Sequence, residues 1–285
     1  MPDILSVVLR ALSFVLLFQS AGIAIFIALF GRRLANCGNL VRRLGQLSAT
    51  AAMVLVAGHY ALEAARMAGD MSGLWDPALQ AMAWNSPAGA PFICRLIGLL
   101  LIAIGLWRSD GRWTMVAVGG VVLAAGSFTL MGHTSVHAHR GALAALLMVH
   151  LLIVAFWFGA LPPLYAASLR ETPIRAADLI ERFTLVATWL VPVILLAGTA
   201  MAVLLLPNVA ALSEPYGELL IAKVAGFALL MGLAAANKWR LGPALISGTA
   251  QSGQSFRRSV ATEYVLIAAV LTITAVMTSL FSPEA

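Results

Sequence analysis

Apolar runs of about 20 residues recur along the whole chain, and this feature constrains its fold more strongly than any other. A helix of that length spans the hydrocarbon layer of a bilayer, which is ~30 Å thick. Of the 285 residues, 61% are hydrophobic and only 11% are charged, whereas a soluble domain needs roughly 25% charged residues to cover its surface. The sequence therefore predicts an all-α integral membrane protein in contact with the lipid bilayer, and it excludes a soluble enzyme.

The apolar runs predict eight transmembrane helices, separated by connections in which proline, glycine, serine and basic residues collect. The predicted helices cover residues 4–30, 46–66, 91–107, 113–133, 142–166, 183–206, 217–239 and 262–281. Glu263 then opens the last helix, where a carboxylate suits the positive end of the helix dipole. We interpret this glutamate as a structural residue.

Most of the 18 lysine and arginine residues fall in the connections of one side of this topology, and the opposite connections hold only Arg66 and Arg140. Because cytoplasmic loops carry the excess of basic residues, both termini are predicted on the outer side. The same bias accounts for the net charge of +6 without a nucleic-acid partner. Cys37 and Cys94 fall on opposite sides, so they are not expected to form a disulfide.

Two four-helix repeats are predicted, residues 1–140 and 141–285, because similar residues recur in the same order in both halves. The matching pairs are Arg42 and Arg182, Gly58 and Gly198, Gly89 and Gly217, and Arg95 and Lys223. Four crossings return the chain to its starting side, so the two units would have the same orientation. Parallel repeats of this kind build several transporter folds.

Four of the five histidines fall in one short stretch, which predicts a metal site at the outer end of the bundle. His133 ends the predicted fourth helix, His137 and His139 lie in the outer connection, and His150 lies in the outer half of the fifth helix. Neutral imidazole is the commonest metal ligand and favours copper and zinc. The alternatives are a solvated loop for the first three and a hydrogen bond to a neighbouring helix for His150.

The fifth histidine, His59, lies near the outer end of the predicted second helix, one turn before Glu63. Residues four apart share a face of a helix, so Glu63 could orient the imidazole ring or act as a ligand itself. The other interpretation is an ion pair between Glu63 and Arg66 that closes the end of the helix.

Methionine indicates which metal the site would hold. Most of the 11 methionines map to the outer half of the topology, and Met131 and Met148 lie closest to the histidines. Thioether sulfur prefers Cu(I), whereas zinc or calcium would be expected with thiolates or oxygens, although methionine is also common apolar filler. Imidazole and thioether together point to copper, and the absence of nucleotide-binding, zinc-protease and nucleophile-elbow motifs argues against an enzyme.

The order of several short motifs resembles the copper resistance protein D family, CopD or PcoD, over most of the chain. The motifs are Ser86 and Pro87 with Gly89 and Arg95, Gly132 and His133, His150, Ala155 to Gly159, Arg182 and Phe183, Ala197 to Thr199, Pro215 to Gly217 with Lys223, Asn237, and Glu263 with Phe281 to Pro283.

This resemblance implies a multi-pass protein of a bacterial inner membrane that takes copper from the periplasm and moves it into or across the membrane. It also implies a periplasmic CopC-like copper-binding partner. The residues carried over from the family are His133, His150 and His59. One departure is Ser13, which stands in the first helix where many relatives have a histidine.

Two other functions stay open from the residues alone. A b-type cytochrome would use His150 with either His59 or His133 as axial heme ligands. A copper-sensing or assembly partner would bind the metal at the outer face without transporting it.

Overall fold

The apolar runs form long helices that pack side by side around the first of them. The structure, a computed structural model, describes residues 2–131, 139–206, 208–245 and 249–281, and these residues contain no β-strand. The helices are α1 Pro2–Phe30, α2 Gly38–Ala68, α3 Pro77–Asn85, α4 Gly89–Gly105, α5 Gly111–Gly126, α6 Arg140–Arg170, α7 Pro173–Leu205, α8 Pro215–Ala236 and α9 Ala250–Leu280.

Shorter segments extend or join these helices. A π-helical turn, Asn237–Leu241, and a short α turn, Gly242–Ala244, continue α8. The 3₁₀ segments are Gly31–Arg33, Met71–Trp75, Ser127–Leu130 and Val209–Ser213.

The described helices confirm the predicted membrane class. Seven segments are long and apolar enough to cross a membrane, and α3 with α4 would add an eighth if this pair, bent by 84° at the break, forms one span. Helix α3 was not expected. It begins where the Asp76 carboxylate accepts hydrogen bonds from the backbone of Ala78 and Leu79, a typical N-cap with proline in the first turn.

Several helices begin earlier than the apolar runs do, and one functional interpretation changes as a result. Helix α9 begins at Ala250 rather than at residue 262, because its polar first turns are capped by Thr249, whose side chain accepts a hydrogen bond from Ser252. Glu263 therefore lies more than three turns inside α9. The prediction that this glutamate stabilises a helix start was wrong.

Helix α1 is the central element, since it packs against α2, α5, α6 and α9. Its backbone approaches α6 closely, because Gly22 and Gly159 face each other. A Cβ atom added to Gly22 would lie 1.7 Å from the Ala155 carbonyl oxygen. Small residues allow such close backbone packing between membrane helices.

At the other end of the bundle from the predicted histidine site, the α1–α2 connection is joined to the start of α7. The Glu171 carboxylate accepts hydrogen bonds from the backbone N–H groups of Asn36, at 2.7 Å, and Cys37, at 3.1 Å. Burial and the Glu171 carboxylate raise the pKa of the Cys37 thiol to about 12. Cys37 is therefore a protonated thiol at neutral pH. Neither Cys37 nor Cys94 is in a disulfide, as expected.

Candidate functional site

His59 is held on α2 by a serine of α1. Its Nδ1 atom lies 3.1 Å from the Ser6 hydroxyl and 3.2 Å from the Ser6 carbonyl oxygen. Ser6 itself is only 4% exposed. A hydrogen bond to one ring nitrogen fixes the tautomer and the orientation of the imidazole. Of the two ring nitrogens, Nε2 is the one that this arrangement leaves for another partner.

Three arginines, Arg10, Arg95 and Arg66, are near enough to the His59 ring to act on it electrostatically. Arg10 donates to the Thr278 carbonyl and the Ser279 hydroxyl of α9, both at 3.3 Å. Arg10 and Arg95 repel a metal cation, whereas the charge of Arg66 is offset by Glu63 and Asp3. The two remaining arginines favour a structural imidazole over a copper ligand.

Glu63 binds Arg66 rather than His59. Its carboxylate oxygen lies 3.2 Å from Arg66 Nη1, and Arg66 Nε lies 3.0 Å from the Asp3 carboxylate. This is the ion pair that the spacing offered as the alternative interpretation. The group that orients His59 is Ser6, which the sequence analysis did not single out.

Arg95 secures the end of α5, just before the histidine-rich stretch. Its Nε donates to the Ser127 hydroxyl at 3.0 Å, and its guanidinium carbon lies 4.0 Å from the centre of the Phe128 ring. The Phe128 ring stacks on Phe18 of α1, with centroids 5.8 Å apart. A cation over an aromatic face is attracted by the ring quadrupole, so Arg95 fixes the segment that leads to Met131.

His150 has a different environment, at the contact between α6 and α7. Its ring faces Gly198, where an added Cβ atom would lie 3.7 Å from the ring Cε1 and 3.8 Å from Nδ1. The Ile194 carbonyl and the Lys223 ammonium are its polar neighbours. Among the described residues, however, no atom makes a hydrogen bond of good geometry with Nδ1, which is buried. Buried polar atoms are normally paired, so this nitrogen is available for a ligand.

The remaining predicted ligands lie at or near the α5–α6 connection. His133 and His137 lie outside the described residues. Met131, 38% exposed, precedes that stretch, and His139 follows it at the N-cap of α6. Met148 lies two residues before His150, so the two side chains point to different faces of α6.

Within the described ranges, no three imidazole, thiol or carboxylate groups are close enough to hold one metal ion. His59 and His150 each have their own set of neighbours. The sequence analysis missed Ser6 and Ile194. Ser6 is recognisable in the sequence as a polar residue within an apolar helix. Its pairing with His59, however, depends on how α1 packs against α2.

Comparison with known proteins decides the family. Residues 1–143 match the family described as Copper resistance protein D-like, N-terminal domain, and residues 177–277 match Copper resistance protein D. The chain belongs to the copper resistance protein D family. The Copper resistance protein D of Pseudomonas syringae pv. tomato is 29% identical over 310 residues, which cover 100% of this chain and 98% of that protein. No solved structure matches.

This copper resistance protein D family member is a multi-pass protein of the inner membrane, as its apolar helices and its family indicate. The N-terminal match contains His59 and ends in the first turn of α6. The second match contains Gly198 and Lys223. His150 lies between the two matched segments and packs against the second of them.

Proposed function

We propose that this protein binds copper at the outer end of its second half and moves it from the periplasm into or across the inner membrane. The observation that carries the proposal is that the buried Nδ1 atom of His150 has no hydrogen bond of good geometry within the described ranges. A buried polar atom without a partner costs about 1–3 kcal/mol. A copper ion is a ligand that imidazole nitrogen binds well, and the family has a role in copper resistance.

The proposed arrangement has eight spans, with α3 and α4 counted as one, both termini periplasmic and two parallel four-helix repeats. The distribution of basic residues supports the orientation. Two matching contacts support the repeat: Gly58 on α2 faces Leu9 on α1, and Gly198 on α7 faces His150 on α6. The first helices of the two units, α1 and α6, would then meet through Gly22 and Gly159.

In the proposed path, the outer connection captures copper first and His150 receives it within the bundle. The capturing residues would be Met131, His133, His137 and His139. His139 and His150 are separated by three turns of α6, or about 16 Å at 1.5 Å per residue. Copper is cargo in this proposal rather than the cofactor of a reaction, and a periplasmic CopC-like protein would deliver it.

Metal analysis of the purified protein and copper uptake into liposomes test the proposal together. We expect a colourless protein that retains copper and imports it. His150→Ala should lose both properties, whereas Val149→Ala, which removes an exposed side chain next to it on α6, should keep them. Copper binding without uptake would favour the sensing or assembly function. A Soret absorption band would favour the b-type cytochrome.

A further inference from the structure

A buried carboxylate lies in the second half of the bundle, away from the histidines. Glu263 is 3% exposed and lies about 20 Å along α9 from its first residue. It is therefore inside a helix that is long and apolar enough to cross the membrane. Ionisable groups within membrane helices are costly and usually functional, and the copper path proposed above does not use this one.

In the part of the chain that the structure describes, the groups that bind the Glu263 carboxylate are neutral. Trp157 Nε1 of α6 lies 3.4 Å from one carboxylate oxygen, and Asn237 Nδ2 of the π-helical turn donates to the other. None of the ion pairs within the described ranges includes Glu263. An ionised carboxylate without a cationic partner is unfavourable in an apolar interior, and such a group usually becomes neutral.

The amide of Asn237 indicates how the carboxylate becomes neutral. Its oxygen, Oδ1, is buried and has no hydrogen-bond partner among the described residues. An ionised carboxylate only accepts hydrogen bonds, so it leaves Oδ1 unsatisfied, whereas a protonated carboxyl group has an O–H that can donate to it. Exchanging the positions of the amide oxygen and nitrogen does not remove the need for a proton on the carboxylate, because Oδ1 would then face a carboxylate oxygen directly. A carboxylic acid and an amide can form two hydrogen bonds to each other, and only the protonated Glu263 allows both.

Glu263 also lines a cavity of about 240 Å³ between α6, α7, α8 and α9. A water molecule needs ~10–15 Å³ of such space and polar partners, and the polar residues among the lining, Glu263, Asn237 and Lys238, lie where water could deliver and remove a proton. Thr184 and Thr188 on α7 line it as well.

The titratable groups around Glu263 are few. Lys238, which follows Asn237, lines the cavity and donates to Thr188 at 3.2 Å. Tyr264, the next residue of α9, donates its hydroxyl to Gln19 of α1. From α6 and α7, the polar side chains lining the cavity are Trp157, Thr184 and Thr188. Lys238 is thus the one charged side chain that shares the cavity with Glu263 among the residues described.

We propose that Glu263, with Asn237 and Trp157, forms a proton-binding site. The proton comes from water in the cavity, forms an O–H bond on a carboxylate oxygen, and returns to water when that bond breaks. In the part of this inference that rests on the proposed transport function, Glu263 releases its proton when copper passes. The positive charge lost with the proton then offsets the positive charge that the copper ion brings.

Infrared spectroscopy of the purified full chain tests the proton site without copper. The C=O stretch of a protonated carboxylic acid should be present at neutral pH and disappear at high pH. Glu263→Gln, which keeps the shape of the side chain, should remove this band. Glu218→Gln, at the exposed first turn of α8, should leave it. A band that is unchanged in Glu263→Gln would overturn the proposal.

Liposomes that contain a pH-sensitive dye test the coupling. Adding copper outside wild-type liposomes should change the internal pH as copper enters, and Glu263→Gln should lose the pH change while its purified form still binds copper. Copper uptake without a pH change would overturn the coupling. If no copper enters at all, the transport function fails, and the infrared titration still decides whether Glu263 binds a proton.

Discussion

His59 and His150 are two histidines of the same membrane protein. Their side chains differ in the hydrogen bonds that they make and in the charged residues near them. His59 Nδ1 is bound to Ser6, and three arginines act on its ring. His150 Nδ1 has no partner among the described residues, and a single lysine, Lys223, acts on its ring. In the first case a hydrogen bond to the buried nitrogen is present, and in the second the described residues offer only the nearby Ile194 carbonyl, without a hydrogen bond of good geometry.

This difference shows that a histidine in a membrane helix is not a metal site by virtue of its position alone. Imidazole is costly in hydrocarbon, and a hydrogen bond from a neighbouring helix is enough to compensate for it. An unpartnered nitrogen in a less positive environment is the better copper ligand, because a cation gains an electron pair there without strong repulsion. This difference is the basis on which we propose copper binding at His150 in the second half and a structural role for His59.

The largest effect expected from this comparison is on copper affinity. His150→Ala should weaken copper binding more than about 100-fold, since losing even a group that only supports a ligand costs 10–100-fold in metal affinity. His59→Ala should change it far less. Equilibrium dialysis of the two purified variants against a copper chelator measures both affinities.

A larger loss of copper affinity in His59→Ala than in His150→Ala would contradict this comparison. If His59→Ala lost copper and His150→Ala retained it, the hydrogen-bond partners of the two Nδ1 atoms would not identify the copper ligand. Equal losses in both variants would indicate one shared site, which requires the two rings to come together in a conformation different from the one described.

The sequence was sufficient to predict an all-α membrane protein with long apolar helices, because this class depends on a local pattern, whereas the histidine site stays a prediction. Apolar runs mark membrane helices wherever the flanking residues are polar. The pattern was less informative where polar residues begin a helix. It placed the start of α9 at residue 262 instead of Ala250, and Glu263 was consequently interpreted as a helix-start residue.

The residues around the two histidines could not be predicted from the sequence, because they come from helices distant in the chain. Ser6 reaches His59 across 53 positions, and Gly198 and Ile194 reach His150 only through the packing of α7 on α6. The spacing of Glu63 allowed two partners, and it could not tell which of them the packing selects. Local spacing offers the candidates, and tertiary packing chooses among them.

A smaller effect is expected when the partner of His59 is removed. Ser6→Ala removes the serine hydroxyl but keeps the Ser6 carbonyl, which lies 3.2 Å from His59 Nδ1, so the free energy of unfolding should fall by only about 0.5–1.5 kcal/mol while copper affinity stays unchanged. Ser13→Ala is the matched control, because the Ser13 hydroxyl donates to the Arg10 carbonyl of its own helix. Denaturant unfolding in detergent, with copper binding measured in parallel, gives both quantities. A loss of copper binding in Ser6→Ala would assign His59 to the copper site.

The smallest effect on copper affinity is expected when a single methyl group is added to Gly198 or to Gly58, which occupy corresponding positions in the two proposed repeats. In Gly198→Ala the new Cβ atom lies 3.8 Å from His150 Nδ1, an ordinary contact that the fold tolerates but that covers the approach to this nitrogen. In Gly58→Ala it lies 3.5 Å from the Leu9 side chain, where no ligand is expected. Copper affinity, measured by the same dialysis, should fall only in Gly198→Ala, by an amount well below that of His150→Ala because the ring itself remains. Equal affinities in the two glycine variants would mean that copper does not reach His150 from the side of α7, and the ligand would then have to approach the ring from α8 and Lys223.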